Sequence, residues 1–185
     1  MGQNMQLDKL FGSKTKVDIL KYLLFRRQGV SMRALESELS RTFPAIKKQI
    51  DSLRTANVIE TGDDKSKWSI IIKPDCIAPI KSIFMYGIRN DISLLFKEYE
   101  VMIDSYYLGK IFGNNLDYDL VVTYKNCERP QMEVVKESIS AIFRDYYIEN
   151  ISVVIMSKDE RDKRYRLADK FVLSIMKQNV QPIMV

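Results

Sequence analysis

Residues 31–57 read SMRALESELSRTFPAIKKQIDSLRTAN, and their spacing decides how the first part of the chain folds. Ser31 is placed to cap a short helix in which Met32, Leu35 and Leu39 recur at the period that lines one helix face. A tight turn through Ser40 and Arg41 follows. Thr42 can cap the next helix, Pro44 falls in its first turn, where a missing N–H costs nothing, and Ile46, Ile50 and Leu53 form its buried stripe. Asn57 suits the C-terminal cap. Upstream, SKTKVDILKYLLFRRQ (13–28) carries the same stripe through Val17, Leu20 and Leu24, widened by Ile19 and Leu23, and Gly29 ends it.

Working downstream, Val58 and Ile59 begin an extended run that reaches GDDKSK and returns through Trp68, Ile70 and Ile72, the pattern of a two-stranded hairpin with a lysine-bearing tip. Three short helices followed by such a hairpin predict a helix-turn-helix with a wing. The stretch IDSLRTANVIETGDDKSKWSIII (50–72) resembles the end of the recognition helix and the wing in ArsR/MarR-type transcriptional regulators: a leucine-bearing helix end, an Ala-Asn turn and two apolar residues. The resemblance runs from about Leu7 to Lys73. It implies a domain, 1–75, that binds double-stranded DNA.

Charge agrees with that expectation. Up to Asp75 there are 14 Lys and Arg against 9 Asp and Glu, whereas 15 and 15 cancel beyond it, so the whole formal excess of +5 lies in the first part. A basic module fits a polyanion, because phosphate neutralisation supplies most non-specific affinity for DNA. On the third helix, Lys48, Ser52 and Ala45 are read as pointing away from Ile46 and Ile50, flanked by Lys47 and Gln49, with Thr42 at the helix start. Such a face can read base edges, while Arg41, Lys65 and Lys67 position the protein on phosphates. The competing reading is a solvated helix face or a protein-binding winged helix; the basic tip and the charge balance favour DNA.

Other classes are excluded or disfavoured. The N-terminal MGQNMQLDKL has no secretory pattern, and Gln6 breaks the myristoylation motif. No window approaches the roughly 20 apolar residues of a bilayer span, so a cytoplasmic protein without a membrane partner is expected. A hydrophobic fraction of 46% with 29% charged residues is that of an ordinary globular chain, not a disordered one. There is no histidine, which removes His-based catalytic triads and, with Cys76 and Cys127 far apart, any usual zinc site. The two cysteines are expected as free, partly buried thiols.

Beyond residue 75 the pattern changes. Residues 76–99 are expected as a connecting helix, relaxed at Gly87, whose apolar surplus (Ile80, Ile83, Phe84, Ile88, Ile92, Leu95, Phe96) suits a homodimer. A third segment, 100–185, follows: an extended run Val101 to Phe112, a strand DYDLVVTY, a helix from about Pro130 to Tyr147, a strand ISVVIM, and one helix from Lys158 to Lys177. Within that last helix KDERDKRYR reads as a solvated face, and Trp68, Tyr106, Tyr107, Tyr146 and Tyr147 read as core aromatics. The fold class is α+β, an N-terminal helical module followed by a small α/β domain with a mixed sheet.

Asp117 and Asp119, placed by this reading on one strand, would face the same side of the sheet and could hold magnesium, with Gly109 to Gly113 just before them. The stretch LGKIFGNNLDYDLVV (108–122) resembles the signature of the small MNT-type nucleotidyltransferases. There a Gly-Ser turn precedes a Ser-Asp-x-Asp strand, and two aspartates with a third acid on a later strand hold two metal ions. Here Lys110 replaces the serine of the turn, Leu116 replaces the serine before the first aspartate, Ser152 occupies the place of the third acid, and Glu149 lies outside the strand. The resemblance therefore implies a degenerate domain with no cofactor, magnesium being the exception if Asp117 and Asp119 are functional, and a sensing, dimerising or partner-binding role. An active nucleotidyltransferase with its own winged helix is the alternative from another class.

Overall fold

The computed structural model describes residues 6–62, 69–125, 127–177 and 182–184. The chain is a mixed α and β structure and divides into two compact units, Met1–Asn90 with Asp145–Ile148, and Asp91–Arg144 with Glu149–Val185.

The first unit begins with α1 (Leu7–Phe11) and α2 (Lys14–Lys21), the second capped by the Ser13 hydroxyl, which accepts from Lys16 N. Where the sequence suggested one helix to Gln28, α2 gives way to a π-helical turn, Tyr22–Arg26, closed by the Arg27 N–H to Tyr22 carbonyl bond. Helices α3 (Met32–Glu38) and α4 (Phe43–Thr55) follow. Ser31 caps α3 as expected, accepting from Ala34 N at 3.2 Å. Thr42 does not cap α4 with its hydroxyl; the Phe43 N–H is met by the Glu36 carboxylate reaching over from α3 at 3.0 Å. Ser40 (φ 49°) and Asn57 (φ 61°) take the left-handed conformation at the turn and at the end of α4. The predicted stripes close the core: Val17, Leu20, Leu35, Leu39, Ile46, Ile50 and Leu53 are all buried.

Strands β1 (Ile59–Gly62) and β2 (Ser69–Ile72) pair antiparallel, Ile59 opposite Ile72 and Thr61 opposite Ile70. Contacts with the segment before α3 tie this hairpin to the helices. Val30 bridges Ile70, with bonds from Gly29 N to the Ile70 carbonyl and from Ile70 N to the Val30 carbonyl, and Gln28 Oε1 accepts from Ile72 N. The hairpin tip, with Lys65, Lys67 and Trp68, lies outside the described residues.

Helix α5 (Pro74–Glu98) is continuous. Gly87 leaves room for a neighbour: a Cβ at this position would stand 2.9 Å from the Tyr146 hydroxyl. The apolar surplus that suggested a dimer surface is largely spent inside the units, since Phe84, Ile88, Ile92 and Phe96 are fully buried. In the first unit Phe84 stacks on Phe11 with centroids 5.5 Å apart and meets Tyr146 edge-on. Residues 145–148 supply this unit with a further anchor: Lys21 is buried, its ammonium 4.0 Å from the Tyr146 ring centre and bonded to the Asp145 carboxylate and carbonyl.

The second unit is built on a sheet in the order β5-β4-β3-β6. Strands β3 (Ile103–Leu108) and β4 (Leu120–Tyr124) are antiparallel, with a bulge at Asp104; β4 and β5 (Val153–Ser157) are parallel, joined by α6 (Arg129–Asp145); β6 (Ile183–Met184) pairs antiparallel with β3. The mixed sheet agrees with the expected class. A pairing as short as β6 left no periodicity to detect. The predicted run to Phe112 stops at Leu108 and turns through a 3-10 segment, Lys110–Phe112. The single predicted C-terminal helix is two, α7 (Lys158–Arg166) and α8 (Lys170–Lys177). Ala168 breaks it at φ 55°, and the Asp169 carboxylate accepts from Phe171 N and Val172 N to start the second.

Alternation along the strands sends Tyr107, Val121, Val154 and Met156 to one face, where they pack with Val172 and Ile175 of α8. Tyr106 and Val122 point to the other, where Phe96 lies 4.6 Å from Tyr106 between ring centres. Tyr106, Tyr107 and Tyr146 are thus core residues as read; Tyr147 is half-buried, edge-on to Tyr22. Cys76 and Cys127 are free and half-buried. Among the described residues no helix is long and apolar enough to cross a membrane.

Candidate functional site

On α4 the buried stripe fixes what faces outward. Lys47 and Lys48 are exposed, as are Pro44 and Thr42 at the helix start and Arg54, the last residue but one. Lys48 does oppose Ile46 and Ile50. Ala45, Gln49 and Ser52 do not share that outward direction: all three are half-buried, and Ser52 Oγ accepts from Lys16 Nζ of α2 at 3.0 Å. The reason is that Leu53 projects beyond Ile46, on the side away from Ile50, which widens the buried stripe toward residues 45, 49 and 52 and leaves them on a flank of the helix. Arg41 is also committed: its guanidinium bonds the Asp18 carboxylate at 2.8 Å, and it is only partly exposed. Arg54, which the sequence reading passed over, stands on the outer side with a 3.4 Å contact to Asp51. The exposed cations of α4 are therefore Lys47, Lys48 and Arg54, the last beside Asp51, with Thr42 at the N-terminal end and Arg41 held in its ion pair with Asp18.

The glycine-containing turn and the aspartate pair of the second unit are arranged differently from the strand expected. Asp117 and Asp119 precede β4 and lie in the loop that leads into it. Asp117 is exposed, while Asp119 is half-buried and its carboxylate accepts three hydrogen bonds. Oδ2 accepts from both the N–H and the hydroxyl of Ser152, each at 2.9 Å, and Oδ1 accepts from Ile111 N at 3.2 Å. In return the Ser152 hydroxyl and carbonyl accept from Asp119 N. Ser152, standing where the resemblance would place a third acid, is thus the partner that ties the Asp119 loop to the start of β5.

The turn itself has no N–H to offer. Gly109 N donates to the Asp119 carbonyl, Lys110 N to the Tyr118 carbonyl, Ile111 N to the Asp119 carboxylate, Phe112 N and Asn114 N to the Gly109 carbonyl, and Gly113 N to the Lys110 carbonyl. A phosphate cradle needs several such donors unpaired and convergent. Gly109 has a packing reason instead, since a Cβ there would fall 1.8 Å from the Tyr118 carbonyl oxygen. Among the described residues no group of three or more His, Cys, Asp or Glu could hold a metal ion.

One charged cluster escaped the sequence reading. Asp104, within the apolar run VMIDSYYL, is buried at the β3 bulge, 3.3 Å from Lys158 Nζ and 3.4 Å from Arg161 Nη1. The run KDERDKRYR is therefore not wholly a solvated face; Arg161 turns inward to neutralise a buried carboxylate, while Arg164 and Glu160 pair on the outside at 2.6 Å. Burial raises the Tyr107 phenol above its usual range, Arg161 working against the shift and Asp104 with it. The only signal in the sequence was an acid among residues that otherwise read as a core strand.

No protein-family model matches the chain, and no curated protein matches it.

Proposed function

We propose that the first unit is a winged helix-turn-helix module that binds double-stranded DNA, and that the protein is a transcriptional regulator. The observation that carries this is the outer face of α4. Lys47, Lys48 and Arg54 stand exposed on the helix following the α3 turn, with the antiparallel β1–β2 hairpin directly after it. Charge supports the reading, because the chain's formal excess of +5 arises within its first 75 residues. In this reading α4 enters the major groove, Thr42, Lys47 and Lys48 lie at its leading end, and the hairpin tip with Lys65 and Lys67 follows the neighbouring backbone. A homodimer would match a two-fold operator. The second unit we read as a nucleotidyltransferase-like domain without transfer activity. The three hydrogen bonds accepted by the Asp119 carboxylate and the fully used N–H groups of 109–114 support that reading.

The experiment is a titration of full-length protein with a labelled random-sequence duplex at two salt concentrations. Binding should weaken at least about tenfold in the K47A/K48A variant, and the slope of log affinity against log salt should shrink by about 2. Absence of any salt-dependent shift at about 50 mM salt refutes DNA binding.

A further inference from the structure

The sheet of the second unit has one edge closed by the chain itself, where β6 lies along β3, and among the described residues no strand pairs with the other edge, β5. An open edge usually carries a lysine, a proline or a bulge that blocks further pairing. Strand β5 reads VVIMS and has none of these. Its orientation follows from one bond. The Ser152 carbonyl accepts from Leu120 N, so Ser152 faces β4, and the alternation of a parallel ladder then turns the N–H and C=O of Val153, Ile155 and Ser157 outward. Those three positions are symmetric about Ile155. Antiparallel pairing with a second β5 would set Ile155 against Ile155 and Val153 against Ser157, each pair exchanging two N–H···O bonds.

The walls of this edge are self-complementary as well. A groove of about 450 Å³ runs along β5, lined on the α6 side by Met132, Glu133 and Lys136. As the crossover between two parallel strands, α6 runs antiparallel to them, so Glu133 lies toward the Ser157 end and Lys136 toward the Val153 end. A two-fold axis normal to the sheet at Ile155 would set α6 beside its copy, where the exposed Glu133–Lys136 pair, 3.8 Å apart within the helix, can exchange partners with the same pair of the second copy. We infer that the outer edge of β5 is a docking site for a second copy of this chain, which joins the two sheets into one continuous sheet. The inference is independent of the DNA-binding reading, and it places the dimer contact away from the α5 surface suggested by the sequence.

The test is the mass of the full chain by sedimentation up to about 100 µM, since a dimer forms by mass action. Ile155→Pro removes an N–H that faces away from β4, a substitution edge strands tolerate. Lys136→Glu alters an exposed side chain, removes its surface pair with Glu133 of the same helix and sets like charges across the axis twice. Wild type should dimerise, I155P should be monomeric, K136E should raise the dimer dissociation constant at least about tenfold, and the exchange E133K/K136E should restore it. If I155P fails to fold, judged by circular dichroism, the charge-exchange pair decides alone. A monomeric wild type at about 100 µM overturns the inference, leaving the edge to an extended segment of another protein. A dimer indifferent to K136E, or not restored by the exchange, overturns it also.

Discussion

Replacing Asp119 separates a carboxylate kept for chemistry from one kept for structure. The Asp119→Ala variant removes an acceptor that receives bonds from Ser152 N, Ser152 Oγ and Ile111 N, at 2.9, 2.9 and 3.2 Å. Hydrogen bonds to a charged group contribute about 1.5–3 kcal/mol each. The site is half-buried, so water can reach part of what is left, and three bonds sharing one carboxylate do not add fully. The expected loss is therefore about 3 kcal/mol, a large share of the roughly 5–15 kcal/mol that holds a domain folded. Asp117→Ala, at an exposed position, should stay within about 0.5 kcal/mol of wild type. Ser152→Ala should couple to Asp119→Ala by about 1–2 kcal/mol in a double-mutant cycle, because both remove the bond from the Ser152 hydroxyl to the Asp119 carboxylate. Urea melts followed by circular dichroism give the values, and amide exchange at Leu120 to Val122 assigns the loss to the second unit. A carboxylate awaiting a metal behaves in the opposite way: its removal relieves local negative charge. An Asp119→Ala variant as stable as wild type, or more stable, would refute the structural role and return the aspartate pair to the list of candidate metal ligands.

Two further outcomes follow from the same unit and from the tyrosines. Gly109→Ala drives a methyl against the Tyr118 carbonyl oxygen, 1.8 Å from an ideal Cβ, and should cost about 3–4 kcal/mol as the turn loses its bonds to Tyr118 and Asp119. Gly113→Ala, at φ +83° with nothing within 4 Å, meets only the backbone penalty of about 1–2 kcal/mol, so equal losses in thermal melts would disprove the packing account. Burial raises the phenols of Tyr106, Tyr107 and Tyr147 above 10.0. A raised folded value means stability that is complete below the unfolded pKa near 10 and is lost as pH rises through the folded value. Melting temperature should therefore fall from about pH 10 upward, and Tyr147→Phe should flatten that fall; a melting temperature constant to about pH 12 would contradict it.

Much of the first unit was legible because its information is local. Val17, Leu20, Leu35, Ile46 and Ile50 recur at helical spacing, and that spacing alone selects which side chains leave water. Ser31 and Asn57 mark boundaries through their own backbone and capping chemistry, which needs no distant partner. The mixed strand and helix order of the second unit was legible for the same reason. What the sequence alone could not settle was every feature made by residues far apart in the chain. Arg41 looks like a phosphate ligand until Asp18, 23 residues earlier, is found beside it, and Ser52 looks like a base reader until Lys16 reaches it. Asp119 fits a metal-binding motif by spacing, yet Ser152, 33 residues on, supplies two donors that complete its coordination by hydrogen bonds. Buried Asp104 acquires its cations only when α7 folds across the sheet. Spacing fixes which face a side chain leaves from; only tertiary contact fixes whether its charge is already satisfied, and the open or closed state of a sheet edge is decided the same way.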